Sequence, residues 1–159
     1  SSEFYTHLAV YEERPDLCAV VHAHPPVATA LTLAGVSLME PLLPEVVMNM
    51  GAVPTCPYAT PGTLEGAVSI REAIRHCDTV MLDRHGALCA GGDLMEAYHK
   101  LERLEHAALI LWHALALGNV TPLSPEQVRR IHEAGSAYGV KGRIYRGCGT
   151  ALCSGGDNS

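Results

Sequence analysis

His22 and His24 close an apolar, β-branched run, Ala19-Val20-Val21-His22-Ala23-His24-Pro25-Pro26. Side chains alternate along a strand, so residues two apart project from one face. Two imidazoles from one strand are half of a zinc site, because catalytic zinc takes three protein ligands and keeps one position for water or substrate. A His-x-His pair by itself fits two half-exposed strand histidines equally well. His85 is a third candidate. It follows a second apolar run, Thr79-Val80-Met81-Leu82, and Gly86 beside it permits close backbone approach. Glu3 supplies a carboxylate at a helix start, where negative charge is electrostatically favoured. Taken alone, Glu3 is more simply a first-turn charge. Three imidazoles with one carboxylate in reach suit a Lewis-acid zinc, with the carboxylate free to move protons.

These groups need elements to hold them. Phe4, Leu8 and Tyr11 recur at spacings of four and three, which predicts a helix with one apolar face. Arg14-Pro15-Asp16 ends it. Residues 17–22 predict a buried strand, broken by Pro25-Pro26, and residues 27–33 a short helix that stops at Gly35. The stretch 36–54, with prolines at 41, 44 and 54, fits no single element. Tyr58-Ala59-Thr60-Pro61-Gly62-Thr63 is a loop, and Thr63 caps a helix over 64–76. Buried strands are expected at 79–82 and 87–90, followed by a Gly91-Gly92 turn. Asp93-Leu94-Met95-Glu96 is an acidic capping box, with Glu96 directed at the Asp93 amide. It opens the longest helix, 94–117, which Gly118 stops. Ser124-Pro125-Glu126-Gln127 opens a last helix to about residue 137. His99, His106 and His113 recur every seven residues on the long helix among Leu101, Leu104 and Leu109. They read as a helix flank or a subunit contact rather than as ligands. Strands and helices mixed in this order give a layered α/β or α+β domain. Residues 1–147 are expected to form it, and the Gly/Ser-rich residues 148–159 a disordered tail.

Six ordered motifs carry a resemblance. They are Ser1-Ser2-Glu3, Arg14-Pro15-Asp16, Ala19-Val20-Val21-His22-Ala23-His24, Pro57-Tyr58-Ala59-Thr60-Pro61-Gly62-Thr63, His85-Gly86-Ala87-Leu88 and Tyr138-Gly139. Together they resemble the class II aldolase/adducin family, closest within it to the L-fuculose-1-phosphate aldolases. The resemblance implies a three-layer α/β/α domain, here apparently lacking its N-terminal elements. It implies a homotetramer with active sites between subunits and one Zn2+ per subunit. His22, His24 and His85 would hold the zinc. Glu3 would ligate it at rest and carry a proton once substrate displaces it. Ser1 and Ser2 match phosphate-binding serines, and Tyr138 matches a tyrosine that handles a proton at a neighbouring subunit's site. The implied reaction is retro-aldol cleavage of a ketose 1-phosphate to dihydroxyacetone phosphate and an aldehyde. Related branches are methylthioribulose-phosphate dehydratases, sugar-phosphate epimerases, which place aspartate where Glu3 stands, and non-catalytic adducin-like scaffolds. Fuculose-type members carry a further tyrosine between the second and third histidines. Residues 38–50 contain none, and Leu43 stands near its place.

Composition narrows the partners. A net charge of −6 without basic runs argues against nucleic acid and against an anionic membrane surface. No apolar run reaches transmembrane length. Aromatic residues at 5% favour packed aliphatic layers over an aromatic ligand cage. The six cysteines form no C-x-x-C pair; four of them sit in apolar or strand-like context, where free Cys is a small hydrophobe, and reduced thiols fit a cytoplasmic protein.

Overall fold

The computed structural model describes residues 3–137. Along the chain run α1 (Phe4–Glu13), β1 (Ala19–Ala23), α2 (Pro26–Leu33), α3 (Pro44–Asn49), β2 (Thr55–Cys56), α4 (Leu64–His76), β3 (Thr79–Leu82), β4 (Gly86–Gly91), α5 (Leu94–Leu117) and α6 (Pro125–Ala137). The four strands form one sheet in the order β1-β4-β3-β2. β4 lies antiparallel to both β1 and β3, while β2 runs parallel to β3.

Every residue of β3 and β4 is buried, and their alternation sorts them between two cores. Val80, Leu82, Leu88 and Ala90 join Val10 of α1 and Ile70 and Ile74 of α4. Met81, Ala87 and Cys89 join Ala28 and Leu31 of α2 and Leu104, Ala108 and Leu111 of α5. Helices cover both sheet faces, so the chain is a three-layer α/β/α domain. Strands covered on both faces read as unbroken apolar runs, which is why β3 and β4 were visible in the sequence.

The capping signals behave as their chemistry demands, with one shift. The Asp93 carboxylate accepts from the Glu96 amide, but Glu96 reaches back to the Gly92 amide rather than to Asp93. Ser124 and Gln127 cap each other reciprocally. Thr63 makes no cap; its hydroxyl donates to the Thr60 carbonyl inside the loop.

Three expectations change. The stretch 36–54 forms the short helix α3, entered through Leu43 and Pro44, and a bridge between Leu38 and Val53. The apolar stripe of α1 faces outward, with Phe4 59% and Leu8 and Tyr11 each 40% exposed. α1 instead buries Thr6, Ala9 and Val10, because small side chains let it lie close against α4. Adding a Cβ to Gly66 of α4 would bring it within 3.3 Å of the Thr6 Oγ1. Lastly, Cys18, Cys56 and Cys89 are free thiols, but Cys77 is disulfide-bonded. A bonded cysteine outside any C-x-x-C pair carries no local spacing signal, and it removes the thiol argument for a reducing compartment.

At the edge of the core away from the histidines, Lys100 is 3% exposed. It donates to the Asp78 carboxylate, the Ala90 carbonyl and Glu96, each at 2.8 Å. Arg14 also pairs with Asp78 at 3.0 Å, tying α1 to the start of β3.

Candidate metal centre

β1 and β4 are neighbours, and this adjacency builds the site. His22 sits opposite Leu88 in the ladder, so it faces the layer of α1 and α4. His24 follows one residue beyond the strand on the same side, as the period of two requires. His85 enters from the tight β3–β4 connection, where its amide donates to the Leu82 carbonyl and Arg84 takes a positive φ of 58°. The three rings form a near-equilateral triangle with centroids 5.0, 4.8 and 4.9 Å apart.

One ligating nitrogen from each of the three lies within 4.8 Å of the others. Donors sharing a zinc at about 2 Å sit up to about 4 Å apart, so three nitrogens within 4.8 Å need a small inward movement of the rings to share one ion. His22 supplies the sharper observation. Its Nδ1 lies 3.0 Å from the Ala87 carbonyl, which makes Nδ1 the protonated nitrogen. Its Nε2 is buried and has no hydrogen-bond partner among the described residues. A buried nitrogen with a free lone pair, its ring held from behind by a carbonyl, is the arrangement of a metal-ligating histidine. Burial, then the neighbouring His85 and His24, hold the His22 imidazole below its ordinary pKa, which keeps it in the neutral form a metal needs; Glu3 opposes this. The residues therefore fit a divalent metal.

Gly86 permits the convergence. A Cβ there would collide with the Ala23 carbonyl and lie 2.8 Å from His24 Cδ2. The backbone of β1 and the His24 ring occupy the space that any other residue would fill.

Glu3 is 8% exposed but does not belong to the histidine group. Its Oε1 accepts from the Gly62 amide at 3.1 Å and its Oε2 from the Thr6 hydroxyl at 3.2 Å. Glu3, Thr6, Thr60, Ser69 and His85 line a small chamber of about 20 Å³, enough for roughly one water. The sequence did not single out Thr6; its only signal is a hydroxyl on the buried side of α1, three residues after Glu3. Ser1, Ser2 and Tyr138 lie outside the described residues, as does the expected tail 148–159. His99, His106 and His113 are exposed along α5 and do not converge.

A larger cavity, about 150 Å³, lies on the other side of the sheet between α3 and α5, lined by Leu38, Leu42, Met50, Leu104 and Leu111. It lacks the convergent polar groups that a phosphorylated sugar requires.

Residues 1–112 match the model of the class II aldolase and adducin N-terminal domain. The chain belongs to the class II aldolase and adducin family. Among its relatives is the 3-oxo-tetronate 4-phosphate decarboxylase of Escherichia coli, 36% identical over 116 residues, covering 70% of this chain and 55% of the relative. The L-fuculose phosphate aldolase of Escherichia coli is 31% identical over 144 residues, covering 89% of this chain and 66% of the relative. A solved L-fuculose 1-phosphate aldolase superposes with a TM-score of 0.78 at 32% identity, covering 86% of this chain and 64% of that one. The chain thus spans between about half and two thirds of the length of these relatives. Among the described residues, no helix is long and apolar enough to cross a membrane.

Proposed function

We propose that His22, His24 and His85 hold one zinc ion and that the centre breaks a carbon–carbon bond beside the carbonyl of a phosphorylated sugar. The Nε2 of His22, without a partner among the described residues and aimed from the strand that His24 follows, is the observation that carries this reading. An all-imidazole donor set of three suits zinc with an open position. When bound, the metal supplies a Lewis acid for a carbonyl oxygen on which negative charge develops.

The chain's own residues account for the rest. The Ala87 carbonyl fixes the His22 tautomer. Glu3, next to the cluster and largely shielded from water, moves a proton to or from the retained fragment as general acid or base. Ser1 and Ser2 anchor the substrate phosphate and thereby orient the reacting carbons, and Tyr138 serves a proton on the aldehyde side. The proposal extends to a homotetramer with sites between subunits. The exposed apolar face of α1 beside the site supports assembly.

Retro-aldol cleavage of a ketose 1-phosphate is the reading to which the fuculose-type likeness points. The decarboxylase relative favours a second, loss of carbon dioxide from a 3-oxo acid phosphate. Both leave an electron pair beside a carbonyl as an enediolate, so the same groups serve either. Incubating the zinc-loaded chain with L-fuculose 1-phosphate and with 3-oxo-tetronate 4-phosphate separates them. Dihydroxyacetone phosphate is left by both reactions, so the co-product decides: an aldehyde released from L-fuculose 1-phosphate supports the aldolase, and carbon dioxide released from the 3-oxo acid supports the decarboxylase. A dehydrated or epimerised product moves the chain to those branches, and no turnover of any sugar phosphate overturns the enzymatic reading.

A further inference from the structure

The Glu3 carboxylate occupies a built cradle. Thr6 is 2% exposed and lies one helical turn further along α1, so its hydroxyl meets Glu3 Oε2 inside the protein. Gly62 presents its amide to Oε1 from the loop between β2 and α4. The turn that aims this amide runs through a φ of 76°, which only glycine adopts without strain. Gly66 contributes by having no side chain, since a Cβ there would press on the Thr6 hydroxyl. The Thr6 hydroxyl and the Gly62 amide thus help hold the carboxylate beside the three imidazoles but outside their group.

From this we infer that Thr6 is a positioning residue: its hydroxyl, with the Gly62 amide, parks Glu3 away from the metal and sets how strongly Glu3 competes for it. The inference rests on the metal-centre reading above. A carboxylate that joins the metal must leave its donors, so those hydrogen bonds oppose its ligation. Removing the hydroxyl lowers that opposition. Metal binding should then tighten, whereas a substitution that only loosened the fold would weaken it.

Zinc affinity, measured by competition with a chromogenic chelator, tests this without reference to turnover. Thr6→Val should bind zinc on the order of tenfold more tightly, the worth of one hydrogen bond to a charged group. Thr6→Ala provides the same deletion if the valine disturbs folding, and Thr6→Ser should restore the wild-type affinity. In a Glu3→Gln background, Thr6→Val should change nothing. Unchanged or weaker binding in the folded Thr6 variants overturns the inference, as does tightening that persists without Glu3. Wild-type protein that binds no zinc overturns the metal centre and the inference together. Absence of turnover with the affinity pattern intact overturns only the proposed reaction.

Discussion

Gly86 shows how narrowly the centre is specified at single residues. The Ala23 carbonyl and the His24 ring leave no room for a methyl group there. Gly86→Ala should force β1 and β4 apart, lower stability by about 1–3 kcal/mol, and weaken metal binding by roughly 10–100-fold through the displaced His24. Denaturant unfolding and a zinc titration read the two effects separately. The thiols give an independent check on burial. Desolvation pushes Cys56 up to about 11 and Cys89 up to about 12, whereas Cys18 is exposed. Since the thiolate is the reactive form, alkylation of native protein at neutral pH followed by peptide mapping should find Cys18 labelled and Cys56 and Cys89 unlabelled. The three histidines were legible in the sequence, because a period of two and two apolar strands suffice to aim them. The partners of Glu3 were not. Gly62 lies 59 residues away, and no local pattern announces a bond across that distance.

At the scale of elements, α2 must start where His24 ends, and a distant side chain fixes that start. Glu105 of α5 accepts from the Val27 and Ala28 amides, both at 2.9 Å, and so caps α2 from outside its own segment. Glu105→Ala should cost about 1–2 kcal/mol, as loss of a helix cap does. Chemical denaturation measures it, with unchanged secondary structure by circular dichroism. Lys100 ties β3, β4 and α5 together through Asp78, Ala90 and Glu96. Lys100→Met leaves Asp78 buried with Arg14 as its remaining cation, and should destabilise by about 3 kcal/mol, the low end for breaking a buried pair. The same denaturation series checks it. Long periodic elements such as α5 could be read directly, because caps and periodicity agree along them. α3 could not, since six residues among prolines carry too little pattern. The outward face of α1 was equally hidden, because periodicity finds an apolar stripe without revealing which surface covers it.

For the whole molecule, two cores on opposite faces of one sheet explain how a chain of this length holds three histidines rigidly enough to ligate. The helices clamp β1 and β4 from both sides, and the site opens at the end of the sheet where these strands and the β3–β4 turn meet. Family membership follows from residues 1–112; the metal is the claim on which the rest depends. Elemental mass spectrometry of the purified chain, wild type beside His22→Ala, tests it most directly. The account predicts close to one zinc per wild-type chain and far less than one in the variant, which keeps only two of the three imidazoles. A folded wild-type protein without bound metal, or a variant that keeps its zinc, would contradict it.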